Sequence, residues 1–202
     1  MAKRNVTSKK PSKAQDTWDS NLDVFHKFLE LQPFYNKLAS EVAFALECTL
    51  DKNGIEYSAV TYRVKTLDSL LEKIDRKDYA DPFSEIMDLS GVRIVHLYAS
   101  DFDRIHEMIE YEFQVIEHID NLAEQGTERF GYSARHFTVQ LGDAYAGARY
   151  DDLTSLVCEI QVRTALQDAW SIISHHLIYK RESDVPSAMK RRINSLAGLL
   201  ET

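Results

Sequence analysis

The 202-residue chain is 44% hydrophobic and 28% charged, an ordinary globular composition with enough apolar residues for one sizeable core. Its net charge of −8 excludes a global basic field that would draw it to nucleic acid or anionic lipid. Cys48 and Cys158, far apart and in patterns that read as buried, exclude a disulfide framework; no apolar run reaches the roughly 18 residues of a membrane span or resembles a signal-peptide core. A reducing, cytoplasmic setting is the expectation.

Residues 1–14 are basic and without periodicity, so a disordered tail is expected there. Used as a nucleic-acid arm, such a tail makes RNA a possible partner, which the acidic balance of the chain disfavours. Residues 15–202 are expected to form one domain. From Thr17 to about Leu50 the apolar residues Leu22, Phe25, Phe28, Leu29, Leu38, Val42, Phe44 and Ala45 follow helical spacing, which Pro33 is expected to divide or kink, and Asn53-Gly54 signals the turn that ends it. Residues 57–65 alternate, with Val60, Tyr62 and Val64 on one side and Thr61, Arg63 and Lys65 on the other. A helix with a stripe of Leu67, Leu70, Leu71 and Ile74 follows, placing Ser69 and Lys73 on one exposed side.

Strands are further expected over Val92–Tyr98, Phe113–Ile119, Ala134–Leu141 and Ser155–Arg163, with helices over Asp101–Glu112 and Thr164–Lys180. The latter carries Leu166, Ala169, Trp170, Ile173 and Leu177 as its apolar stripe. Residues 15–54 thus read as N-terminal helices, 55–180 as a core and 187–202 as a last helix. That helix ends inside its apolar pattern, which suggests a longer chain or a homo-oligomer formed through the terminal helices. The fold class is α+β (α/β): a mixed sheet of about five strands flanked by helices.

Three strands present wet faces: Arg63 and Lys65; His136, Thr138 and Gln140; Glu159, Gln161 and Arg163. Any one of these is more often a solvated surface; gathered on one sheet they line a groove. Arg63, Lys65 and Lys73, with Ser69, offer a polyphosphate the charged donors its oxygens require. Asp88 and Glu159 suit Mg²⁺, which one or two carboxylates hold together with phosphate oxygens. Tyr132, after Gly131, suits stacking on a base. Nucleotide, phosphates and metal together indicate phosphoryl transfer by positioning and charge neutralisation.

Taken in order, Arg63-x-Lys65-x₃-Ser69-x₃-Lys73, Asp88-x₂-Gly91-x-Arg93, Gly131-Tyr132-x₃-His136, Glu159-Ile160-Gln161-Val162-Arg163-Thr164 and His175-x₃-Tyr179-Lys180 resemble the RelA/SpoT synthetase domain, over about residues 57–180 and without that family's hydrolase domain. The resemblance implies a nucleotidyltransferase-like fold and a stand-alone (p)ppGpp synthetase, which moves pyrophosphate from ATP to the 3′-hydroxyl of GDP or GTP in the stringent response. Carried over, it implies that Arg63, Lys65, Ser69 and Lys73 bind ATP. Asp88 and Glu159 hold Mg²⁺ and serve catalysis, with Glu159 activating the acceptor hydroxyl. Tyr132, His136, Gln161 and Arg163 bind the acceptor.

The acceptor loop departs from the family's P-K-x-N-G-Y-x-S-x-H: Glu128, Phe130 and Ala134 stand at the lysine, asparagine and serine positions, and Ser174 replaces a common glutamate. Arg129 or Arg135 is the available substitute for the missing cation. An adenosine nucleotide or the 3′ end of tRNA is therefore the alternative acceptor, and a non-catalytic nucleotide-binding module the alternative class.

Overall fold

The computed structural model describes residues 13–77, 79–120 and 134–174, with side chains described over 22–173. Forty residues, Lys13–Lys52, form one helix, α1, so the helix begins inside the expected tail and Pro33 does not divide it. Proline removes its own N–H and leaves the carbonyl of residue 29 without a helical donor. Leu29 is exposed, so water can take that carbonyl, while Phe28, Tyr35 and Leu38 anchor the helix on both sides of the proline. At the other end Ile55 N donates to Leu50 O and Gly54 N to Asp51 O, with Gly54 at φ +61°, the left-handed stop expected of Asn53-Gly54.

Five strands follow: β1 (Tyr57–Val64), β2 (Ser90–His96), β3 (Phe113–Asp120), β4 (Arg135–Leu141) and β5 (Cys158–Thr164). They form one mixed sheet in the order β1-β2-β5-β4-β3. Only the β2–β5 pair is parallel. Between them lie α2 (Leu67–Arg76), the short α3 (Pro82–Glu85) and α4 (Phe102–Glu112), and α5 (Ala165–Ser174) follows β5.

Alternation decides which face is covered. Val92 and Ile94 of β2, Cys158, Ile160 and Val162 of β5, and Phe137 and Val139 of β4 meet Leu38, Val42 and Leu46 of α1 and Phe102, Ile105 and Ile109 of α4. A second cluster joins Phe28 and Tyr35 of α1 to Leu70 of α2, Ile86 and Leu89. Both helix groups bury their apolar stripes on one side and leave the opposite face of the central strands for polar side chains.

Three expectations of burial fail for local reasons. Cys48 is exposed, on the side of α1 turned from the core, and Phe44 is 61% exposed there. Tyr62 is half exposed: β1 is an edge strand, and Tyr62 falls between Val60, which packs on the main core, and Val64, which packs on the second. On α5 only Trp170 of the expected stripe is buried, whereas Leu166, Ala169 and Ile173 are exposed, because the helix turns Asp168 and Ser171 toward the arginines of the sheet. Leu177, the last helix and the 187–202 pattern lie outside the described residues.

Candidate active site

Strand register assembles the polar face row by row. Arg63 of β1 pairs with Gly91 of β2, which pairs with Glu159 of β5, which pairs with Thr138 of β4. One step along the strands, Thr61, Arg93, Gln161 and His136 form the next row. Three wet faces that sequence alternation places on separate strands thus become one surface. A groove of about 200 Å³ opens on it, lined by Thr61, Arg63, Asp88, Arg93, Glu159 and Gln161 among others. Gly91 also lines it, and a Cβ there would meet the Glu159 carbonyl at 3.8 Å, ordinary contact. Neither backbone conformation nor crowding therefore demands glycine at this position.

Asp88 closes one end. Its Oδ2 is 2.9 Å from Lys65 Nζ and its Oδ1 2.8 Å from Lys73 Nζ, so the carboxylate is held between the end of β1 and α2. Burial alone would raise the Asp88 carboxyl, but the hydrogen bonds and charges of Lys73 and Lys65 outweigh it and hold the acid below its ordinary value. Ser69 lies in the first turn of α2, where Thr66 Oγ1 caps its N–H and donates to its hydroxyl at 2.9 Å. The cap fixes Ser69 at the start of α2, one helical turn before Lys73.

Glu159 closes the other end. His136 Nδ1 lies 2.9 Å from its Oε1, and Gln161 Nε2 donates to its Oε2 at 2.8 Å. Burial pushes this carboxyl up as well, and the hydrogen bonds from His136 and Gln161, with the His136 charge, bring it below its ordinary range against the opposing charge of Asp88. An ionised carboxylate only accepts, so the Nδ1–H of His136 is the donor. Glu159 is an oriented anion.

Arg163, grouped by sequence with the acceptor residues, is 3% exposed. Its Nη1 donates to Ser171 Oγ of α5 at 2.8 Å and its Nη2 to Gln161 Oε1 at 3.3 Å. Arg135, the possible substitute cation, stands on the other face of β4: it pairs with Asp120 and Asp103 and lies 4.6 Å over the Phe102 ring. It does not reach the groove. Tyr132, with Glu128, Arg129 and Phe130, falls outside the described residues.

Arg93, which the Asp88-x₂-Gly91-x-Arg93 motif contains without a stated role, and Asp168, which no motif contains, are further functional candidates. Arg93 lines the groove and pairs with Asp168 of α5 at 3.1 Å. Strand alternation is the signal for Arg93, which shares the side of Gly91; Asp168 becomes visible only once α5 is docked.

Two carboxylates lining one groove, both held ionised and both all-oxygen donors, fit a hard divalent cation that completes its shell with phosphate oxygens and water. With Arg63, Lys65, Lys73 and Arg93 around them, the arrangement can neutralise a polyphosphate and present a base to a hydroxyl.

The B. subtilis GTP pyrophosphokinase YjbM is 32% identical over 148 residues, which cover 71% of this chain and 65% of that protein, slightly under two thirds of its length. A GTP pyrophosphokinase family protein from Streptococcus pneumoniae has the same fold, at TM-score 0.71 and 22% identity, over 87% of this chain and 88% of that one. So has the small alarmone synthetase 1 of Bacillus subtilis bound to its product pppGpp, at TM-score 0.70 and 24% identity, over 87% and 92% of the two chains. Residues 62–184 match the family described as the region found in RelA / SpoT proteins, and the chain belongs to that family.

Proposed function

We propose that this chain transfers pyrophosphate from ATP to the 3′-hydroxyl of GDP or GTP, making (p)ppGpp and releasing AMP. The observation that carries the reading is the pairing of an oriented, ionised Glu159 with a lysine-clasped Asp88 in one cation-lined groove. The names of the relatives, a GTP pyrophosphokinase and a synthetase with its product pppGpp, support the choice of acceptor.

Arg63, Lys65 and Lys73 bind the ATP phosphates, and Ser69 adds a hydroxyl at the start of α2. Asp88 and Glu159 would hold Mg²⁺, which would supply neutralisation of phosphate charge when bound. Glu159 takes the proton of the acceptor 3′-hydroxyl as its oxygen attacks the β-phosphorus; the bond from that phosphorus to the α,β-bridging oxygen breaks, and AMP leaves with the oxygen. His136 and Gln161 fix the carboxylate for this role, and Tyr132 stacks on the acceptor base. The chain works in the cytoplasm, where these nucleotides are held, and no helix among the described residues is long and apolar enough to cross a membrane. Leu22, Phe25 and Leu29, an exposed stripe on α1, support a second copy packing on that helix.

One observation favours a second acceptor. Arg135 is spent on Asp120, Asp103 and Phe102, so it does not replace the lysine that Glu128 displaces. An adenosine nucleotide or a tRNA 3′ end is the alternative substrate. The deciding experiment incubates the protein with Mg²⁺ and γ-³²P-ATP, together with GDP, GTP, AMP, ADP or deacylated tRNA, and separates the products. Label on guanosine nucleotides is the expected result, label on another acceptor moves the substrate, and no transfer to any of them overturns the enzymatic reading.

A further inference from the structure

Glu159, Gln161 and Arg163 stand two apart on one face of β5, and each holds the next. Gln161 spans the pair: its Nε2 donates to Glu159 Oε2 at 2.8 Å, while its Oε1 accepts from Arg163 Nη2 at 3.3 Å. An amide can be turned either way, and the end that faces the carboxylate decides whether the contact attracts or repels. Arg163 only donates, so it pairs only with the oxygen end of the amide and thereby turns the NH₂ end onto Glu159. Arg163 itself is fixed from α5, by Ser171 Oγ at 2.8 Å and by the Asp168 carboxylate at 3.9 Å, which also meets Arg93 at 3.1 Å. At 3% exposure Arg163 has little surface to offer a nucleotide.

We infer that Arg163 is a positioning residue that acts through Gln161: it ties α5 to the orientation of the Glu159 carboxylate and does not itself bind the acceptor. The inference rests on the reading of Glu159 as the group that activates the acceptor hydroxyl. It replaces the acceptor-binding role that the motif suggests for Arg163. It also gives α5 a purpose beyond packing, since the one helix anchors both Arg163 and the groove's Arg93 through Asp168.

Arg163→Lys is the informative variant. It keeps a cation opposite Asp168, so the buried charge stays compensated, but one ammonium lacks the planar fork that spans Ser171 and Gln161 together. Transfer should fall about tenfold in kcat, as a slightly misdirected catalytic group does, with KM for ATP and acceptor within about twofold. In a Gln161→Ala background the same change should add nothing, because the arm it works through is gone. A raised acceptor KM with kcat unchanged, or losses that simply multiply in the double variant, overturns the inference.

A second readout needs no turnover. The ¹⁵N relaxation of the Gln161 side-chain amide should report an ordered group in the wild type and a mobile one in Arg163→Lys. Equal order in both overturns the inference even if transfer changes. Wild-type protein that transfers nothing to any acceptor defeats the proposed function, while the relaxation arm still decides whether Arg163 sets Gln161.

Discussion

Lys73 Nζ lies 2.8 Å from Asp88 Oδ1, joining α2 to the approach to β2 across fifteen residues of chain. With Lys65 on the other oxygen, the carboxylate neutralises two ammonium groups that the proposed function assigns to the ATP phosphates. On that reading Asp88 has opposite effects on ATP binding with and without metal. Asp88→Asn should cut transfer by about 100-fold, the scale of a lost metal contribution of several kcal/mol. Metal-free ATP should bind at least as tightly as to the wild type, since the competing anion is gone. Calorimetry in EDTA beside a Mg²⁺ titration of activity tests both; weaker metal-free binding would make Asp88 a structural residue.

Lys65 has little room for another role. Its side chain is 13% exposed and its ammonium is held by Asp88, which lines the groove. Lys65→Ala removes a charged hydrogen bond worth about 1.5–3 kcal/mol, so KM for ATP should rise about tenfold or more. Steady-state kinetics at saturating acceptor measures it, and an unchanged ATP KM removes Lys65 from the phosphate site.

Glu159→Gln keeps the shape of the side chain and removes its basicity. If Glu159 takes the acceptor proton, transfer should fall by about 10²–10⁴-fold while ATP affinity stays within about threefold. Equal loss of both would mark Glu159 as structural. The variant also places a neutral amide against His136 and Gln161, so its melting temperature should be followed in parallel.

Much of this site can be read without coordinates, because β-strands alternate. The alternation of Glu159, Gln161 and Arg163, and of Arg63 with Lys65, already divides wet face from core, and the register only had to set the strands side by side. The fold class follows from the same strands and the helices between them. Alternation fails where a wet face is covered by an element whose docking is not local. Arg163 has the pattern of an exposed ligand and is buried because α5 turns Asp168 and Ser171 onto it. Arg135 fails in the opposite way. It shares the core side of β4 with Phe137, yet sequence offers no sign that Asp120 and Asp103 wait there to pair with it. Pro33 misleads because a proline's lost hydrogen bond matters less where the freed carbonyl is open to water.

That placement of Arg135 makes a prediction of its own. Arg135→Ala should lower stability by about 1–2 kcal/mol through loss of its ion pairs and its stacking on Phe102. Acceptor KM should remain within about twofold of wild type. Thermal melts and acceptor titrations together check it. A large rise in acceptor KM would mean that Arg135 swings to the groove when substrate binds.

The two lowered carboxyls also set how the protein responds to acid. A group whose pKa is depressed in the folded state contributes its stabilisation in full above the ordinary carboxyl value, about 4, and loses it as pH falls through the lowered folded value. Asp88 and Glu159 both lie on this side. Their contribution should therefore be flat between pH 7 and about pH 5 and fade below about pH 4. Asp88→Asn isolates one of them: it leaves Lys65 and Lys73 facing each other without their shared anion, so it is the less stable protein at neutral pH. As the wild-type carboxyl protonates, the two proteins converge. Melting temperatures of both taken from pH 7 down to pH 3 should close toward each other at the acid end, and a gap independent of pH would show that the Asp88 carboxylate contributes shape and not charge.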